Sequence, residues 1–506
     1  MTAVALEARG LVKAFGDLVA VGGVDLDVNC GRIHAVMGEN GAGKSTLMSM
    51  LFGLLRPDAG EIRLGGAVVR FRGPADAIAA GLGMVHQAFR LFDEMKVWEN
   101  VVAAAEPRRG PFVDVKSART RVAELAETFG LAVNPDAKVG DLSVGARQRV
   151  EILKALHRGA KILILDEPTA VLTPIERNGL FHVLRRLADE GCATLFVTHK
   201  LDEVLAISDD VLVMRDGKAV KRLLTREADA ATIVRAMTGR DLKPRTRPAP
   251  AKAQASLLQV RGLRVAGADG REAVHGVDLD VRGGEIVGVA GVAGNGQSEL
   301  VCAIVGLKQA TAGEVRIADV TVDRLDVADR RAAGLAYIPE DRARTGTAGT
   351  ASAAENLAMG AHRRSPLAER GFLARSAIAA QARDLIKRFS IKIADESSSV
   401  GPLSGGNLQK IVVARELSRA AAVLVAEQPT RGVDVGAIEF IHDALLAERA
   451  AGRAILLISS ELSEVFALAD RILVMFEGRI VARLAGADAD EATVGAAMAG
   501  RSATAV

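Results

Sequence analysis

Aromatic residues are scarce: they make up 3% of the chain, with one tryptophan, Trp98, and one tyrosine, Tyr337. So sparse a set argues against a platform of rings for stacking nucleic-acid bases, and against an aromatic-lined sugar cleft. Charge of one sign is also missing, because 65 Lys and Arg face 62 Asp and Glu, a net charge of +3. The concentrated basic surface of a nucleic-acid binder is therefore not expected, and no nucleic-acid partner is inferred. The three cysteines, Cys30, Cys192 and Cys302, match no metal or redox spacing. They read as small buried apolar residues in a reducing compartment. No apolar run approaches the roughly 18 residues a membrane span needs. The opening MTAVALEARGLVKAF meets charge too early for a signal peptide. No direct membrane insertion is expected, so work at a membrane would require a partner to hold the chain there.

What the chain does have is length and repetition. Its 506 residues, 49% hydrophobic and 25% charged, fit a globular protein of several domains. VGGVDLDVNCGRIHAVMG (21–38) returns as VHGVDLDVRGGEIVGVAG (274–291), an offset of 253. KILILDEPTA (161–170) and VLVMRDGKAV (211–220) return as AVLVAEQPTR (422–431) and ILVMFEGRIV (472–481), both at an offset of 261. So long a period is a domain duplication. The stretch DLKPRTRPAPAKAQA reads as an extended linker, which divides the chain into 1–240, a linker 241–255, and 256–506. In the first half the runs IHAVMG, ILILDE and TLFVTH read as buried strands. ARQRVEILKALHRG and IERNGLFHVLRRLADEG have apolar residues three and four apart and read as helices. Alternation of the two gives an α/β fold with a mostly parallel sheet in each half.

Gly38-Glu39-Asn40-Gly41-Ala42-Gly43-Lys44-Ser45-Thr46 completes the pattern G-x-x-x-x-G-K-[ST], after an apolar run and before a helical one. Glycines let backbone N–H groups approach phosphate oxygens with no side chain in the way. The following helix presents its N-terminus to the anion. Lys44 can place its charge on the outer phosphates, and the Ser45 hydroxyl can join the shell of a Mg²⁺ ion. Downstream, four apolar residues run into Asp166 and Glu167. A buried strand ending in two carboxylates is costly unless they meet a cation or do chemistry. Asp166 suits a hold on Mg²⁺, and Glu167 suits the base that polarises an attacking water.

On these residues the chain resembles the ABC ATPase family along almost its whole length. Leu142-Ser143-Val144-Gly145 looks like the family signature. Gln87 stands where the family's glutamine loop lies, beside the cation and the attacking water. His199 in VTHKLDEV looks like the switch histidine, and Phe15 resembles the aromatic residue that stacks on adenine. Each alone would read as structural; their order around the phosphate loop carries the assignment. The resemblance implies two tandem P-loop domains, each a mostly parallel sheet core with a helical subdomain. They would bind head to tail, with ATP held between one domain's phosphate loop and the other's signature.

The halves are not equal. In the second, the loop reads Gly291-Val292-Ala293-Gly294-Asn295-Gly296-Gln297-Ser298-Glu299, so the lysine is Gln297 and Glu299 adds negative charge. The carboxylate pair is Glu427-Gln428, and an amide cannot serve as base. Ser460 stands at the switch position and Glu340 at the glutamine-loop position. The fuller signature, however, is in the second half: Leu403-Ser404-Gly405-Gly406-Asn407. Asp434, whose counterpart at the 261 offset is Thr173, would face the intact site. One competent composite site is expected, with Lys44, Ser45, Gln87, Asp166, Glu167 and His199 from the first half. Ser404, Gly405 and Gly406 from the second half would close it. The degenerate loop would pair with Ser143 and Gly145.

Fused, asymmetric pairs of this kind resemble the ATPases of bacterial simple-sugar and nucleoside importers. VHQAF, LSVGARQRVEILKAL, IPEDR and PTRGVDVGAIEFIH lean toward the nucleoside branch, with ribose- or galactose-type sugars as runner-up. LFDEMKVW (91–98) and RTGTAGTASAA (344–354) depart from that branch. The implied partners are transmembrane permease subunits and, through them, an extracytoplasmic solute-binding protein. The implied place is the cytoplasmic face of the membrane. A soluble ribosome-associated twin ATPase would instead carry two competent sites and a long charged linker helix.

Overall fold

Continuous apolar runs, with no polar face to offer water, form strands covered on both sides. In the first half Ile33–Gly38 is buried at every residue. It pairs in parallel with Ala193–Thr198 on one side and Asp210–Arg215 on the other. Ile162–Asp166 and then Leu82–Val85 extend the sheet in parallel beyond Ala193–Thr198, and Lys218–Leu224 closes the opposite edge antiparallel. This computed structural model describes residues 3–239 and 254–500, except 17, 40, 87, 88, 170, 171, 199, 268, 269, 293, 363, 364 and 499. The chain divides into two compact units, Met1–Lys243 and Pro244–Val506, and most of the expected linker (241–253) lies outside the described residues.

Each unit repeats one plan. The second unit's six-stranded sheet runs Leu335–Ile338, Val423–Glu427, Ala454–Ser459, Ile286–Ala290, Arg471–Phe476, Arg479–Ala485, again parallel but for the last strand. Both units add an antiparallel four-stranded sheet that the reading of the sequence did not include. In the first unit its order is Leu18–Asn29, Val4–Phe15, Ala59–Leu64, Ala67–Val69. The signal for it was alternation rather than continuous burial, with Leu6, Ala8, Leu11, Val24, Leu26 and Val28 turned inward. Leu47, Met48 and Leu51 of the helix Lys44–Leu51 pack between these inward residues and one face of the parallel sheet. The helices Val144–His157 and Pro174–Asp189 cover the other face through Val150, Leu153, Leu184 and Leu187. Val97–Val102 and Val115–Phe129 complete the helical part of the unit.

The sheet positions the site through register. Val197 lies opposite Asp166, and Thr198 lies opposite Met37 beside Gly38. Three neighbouring strands thus end at one edge, the position at which parallel sheets hold ligands. The other end of the strand Ile33–Gly38 is fastened too: the Ile33 amide donates to Asp209 Oδ2 at 2.8 Å. In the second unit Ile286 donates to Asp470 Oδ2 at 2.9 Å, and Arg449 grips the same carboxylate with two nitrogens at 2.6 and 2.9 Å. Asp470→Ala leaves an amide and a half-buried guanidinium without this acceptor. The expected cost is about 2–3 kcal/mol to the second unit, read as a lower urea midpoint in hydrogen exchange of its peptides.

Candidate nucleotide site

The phosphate loop of the first unit leaves the strand at Gly38 and enters the helix Lys44–Leu51 through Gly43, with φ of 87° at Gly41 and 94° at Gly43. Only glycine takes these angles freely. At Gly43 space is closed as well, since a Cβ would collide with the carbonyl of Ala20. Lys44 is 6% exposed, and its ammonium donates to the carbonyls of Gly38 at 2.7 Å and Glu39 at 2.9 Å. Burial lowers its pKa, while the Glu167, Asp166 and Glu39 carboxylates pull the other way. The loop therefore wraps around a cation that has lost much of its water. Polyphosphate oxygens are the stronger partners such a cation would take.

Ser45, the second residue of the helix, is exposed, and Thr46 after it is half-buried. The Ser45 hydroxyl faces Asp166, whose pKa is raised by burial and by Glu167 against the pull of Ser45 and Lys44. One hydroxyl and one carboxylate, both hard oxygen donors, are the set that Mg²⁺ takes beside phosphates, so these residues fit that ion. Glu167 stands on left-handed backbone, φ 48°, with its amide bonded to the carbonyl of Val197 at 2.9 Å. A non-glycine residue held there is the kind of strain that collects at functional positions. Phe15, 49% exposed, ends its strand beside Leu18, two residues from the Ala20 carbonyl that meets Gly43. Lys44, Ser45, Asp166 and Glu167 thus meet in one place, with Phe15 on the adjoining hairpin. Asn40, Gln87 and His199 lie outside the described residues.

The signature serines have a local role in both units. Ser143 caps Val144–His157 by accepting from the Ala146 amide at 3.3 Å, and Ser404 caps Gly405–Leu417, with Asn407 Nδ2 at 3.0 Å. The glycines admit neighbours: a Cβ on Gly145 would strike Glu176, one on Gly405 would strike Arg342, and one on Gly406 would approach Asp434. Asp434 and its counterpart Thr173 each cap the helix that follows.

In the second unit the loop keeps its backbone, with φ of 92° at Gly294 and at Gly296. Its chemistry is different. Gln297 is buried, and its amide nitrogen lies against Gly291 much as Lys44 lies against its own loop. Glu427 is 4% exposed and accepts the Tyr337 hydroxyl at 2.6 Å, with Ser298 close by. Burial raises the pKa of Glu427 against the pull of Tyr337 and Ser298, and burial also raises that of Tyr337. With its carboxylate taken by the Tyr337 hydroxyl, a partner Asp166 lacks, this set does not fit a divalent cation. Gln428 repeats the left-handed backbone of Glu167, φ 47°, but its Oε1 accepts from the amide and hydroxyl of Ser460 at 3.1 and 3.0 Å. Glu340 is paired with Arg431. The role of Tyr337 was missed in the sequence, although its being the sole tyrosine was a signal. Tyr337→Phe leaves Glu427 with one hydroxyl partner fewer. The expected loss in the second unit is about 1.5–3 kcal/mol, measured by urea unfolding.

Comparison with known proteins agrees with this geometry. The family model described as ABC transporter matches residues 21–170 and 274–431, one match in each unit. The chain is 43% identical to the nucleoside import ATP-binding protein NupA of Lactococcus lactis subsp. cremoris, over 93% of both chains. It is 42% identical to the guanosine import ATP-binding protein NupO of Bacillus subtilis, over 98% of this chain and 97% of that one. It is 41% identical to the ribose import ATP-binding protein RbsA 1 of Streptomyces avermitilis, over 98% and 92%. The crystal structure of archaeal ribosome recycling factor aABCE1 with ribosomal stalk protein aP1 matches 94% of this chain and 90% of that one. Its TM-score is 0.62 at 21% identity, a likeness of fold alone. Two matched segments, two phosphate loops and these relatives make the conclusion plain: the chain belongs to the ABC transporter family, as an ATPase with two tandem ATP-binding domains.

Proposed function

We propose that this chain powers an importer for nucleosides, hydrolysing ATP with the catalytic set of its first unit. The observation that carries the hydrolysis reading is the contrast between Lys44, Asp166 and Glu167 and their counterparts Gln297, Glu427 and Gln428. Support for the solute comes from the two relatives whose names state nucleoside and guanosine import, at 43% and 42% identity. A simple-sugar importer is the second reading, favoured by the ribose import relative at 41%. No helix among the described residues is long and apolar enough to cross a membrane. The solute's path thus belongs to permease subunits, supplied by an extracytoplasmic solute-binding protein. The ATPase sits peripherally on their cytoplasmic face.

In the proposed cycle Lys44 exchanges the carbonyls of Gly38 and Glu39 for the outer phosphates of ATP. Phe15 offers its exposed ring to adenine. Ser45 and Asp166, with Gln87, would hold Mg²⁺, which supplies charge neutralisation on the phosphates when bound. Glu167 orients the attacking water and receives its proton, and His199 steadies the γ-phosphate. The second half's signature, Ser404 with Gly405 and Gly406, completes this one competent site. The loop Gly291–Ser298 with Ser143 and Gly145 makes the other, which does not turn over.

The test is uptake of labelled nucleosides and labelled ribose in the native host, in wild type and a Lys44→Ala allele. Loss of nucleoside uptake, by more than about tenfold for a barrier change above 1.4 kcal/mol, is the expected result. Loss of ribose uptake alone would replace the solute by the second reading. Unchanged uptake of both would contradict the proposal.

A further inference from the structure

A buried carboxylate not assigned to the ATP chemistry lies behind each site, and the two units use it differently. Glu203, on the helix Leu201–Ile207, is 1% exposed. Its Oε2 accepts from the hydroxyl of Thr169 at 2.7 Å and from that of Thr198 at 2.9 Å. Both threonines are themselves buried. Thr169 stands two residues after Glu167, and Thr198 ends its strand immediately before His199. One oxygen therefore ties the segment that follows the base to the strand that leads to the switch histidine. The amide of Glu167, bonded to Val197 at 2.9 Å, makes a second tie between the same two segments.

In the second unit Glu464 occupies the equivalent place, 3% exposed. It accepts from Thr430 at 2.8 Å, but its other partner is His442 Nε2 at 3.1 Å, from the helix Val435–Ala450. Ser459 accepts from the Glu461 amide as its counterpart Thr198 does from the Lys200 amide, but its hydroxyl donates to the Glu461 carbonyl where that of Thr198 donates to Glu203. The tie between the two segments is made there by Gln428 and Ser460 directly. Burying a carboxylate costs several kcal/mol unless it is well bonded. A carboxylate bonded to both segments only where hydrolysis is expected has a use that packing alone does not explain.

We propose that Glu203, through Thr169 and Thr198, is a positioning residue for ATP hydrolysis. It fixes the separation of the Glu167 and His199 segments without touching nucleotide. The proposal rests on the reading that Glu167 and His199 serve the hydrolytic site. Catalytic geometry tolerates little displacement, and a shift of about 1 Å can cost about a hundredfold.

The experiment measures ATP hydrolysis and nucleotide affinity of the full chain assembled with its permease. Thr169→Val and Thr198→Val remove one hydroxyl each at nearly constant volume. Each is expected to lower kcat about tenfold while ATP affinity stays within about twofold. The double variant should fall little below either single one, as members of one network do. Glu203→Gln keeps an oxygen that both hydroxyls can reach and should retain kcat within about threefold. Ser459→Ala, in the second unit, should match wild type. Wild-type kcat in Thr169→Val and Thr198→Val, with only a lowered melting temperature, would overturn the proposal. So would an equal fall in affinity and kcat. Glu167→Gln separates the two levels: if it turns over ATP like wild type, the site reading itself fails, whatever the threonine variants do.

Discussion

A buried ammonium that needs oxygen is the interaction around which the first unit is organised. Lys44 has given up most of its water and holds the carbonyls of Gly38 and Glu39 in exchange. That arrangement demands a strand ending at Gly38, a turn through left-handed backbone at Gly41 and Gly43, and a helix starting at the lysine itself. The strand in turn demands buried neighbours on both edges, Ala193–Thr198 and Asp210–Arg215, and the strand ending in Asp166 pairs with the first of these. Carbonyl oxygens are neutral, so the site keeps an unspent preference for anions, which ATP phosphates meet.

The second unit separates backbone from chemistry. Its loop angles and its left-handed residue after the carboxylate strand are nearly those of the first, 92° against 87° and 94°, and 47° against 48°. Yet the side chains at the corresponding positions are held within the chain: Glu427 by Tyr337, Gln428 by Ser460, Glu340 by Arg431. The substitutions compensate one another locally, so the fold persists where the catalytic set does not. A strained main chain that outlives its catalytic side chain indicates that the fold itself fixes this turn.

Much of this was legible in the residues because it rests on local rules. Ile33–Gly38, Ile162–Asp166 and Ala193–Thr198 announce themselves as uninterrupted apolar runs. The phosphate loop reads from glycine spacing, and the helices Val144–His157 and Pro174–Asp189 read from their apolar period. The antiparallel sheet was harder, because bulges near Arg9 and Leu11 interrupt its alternation. Tyr337 reaching Glu427 and the two threonines sharing Glu203 were not legible at all. Those contacts join residues 90, 34 and 5 positions apart, and their meaning depends on which strands become neighbours.

The central claim is that only the first unit hydrolyses ATP. Its most direct test is photo-crosslinking of azido-ATP to the transporter-assembled chain during turnover, with vanadate added to trap the product, followed by peptide mapping. Vanadate-dependent label confined to first-unit peptides near Phe15 and Lys44 is the predicted result. Vanadate-dependent label on peptides carrying Gly291 to Ser298 would contradict it.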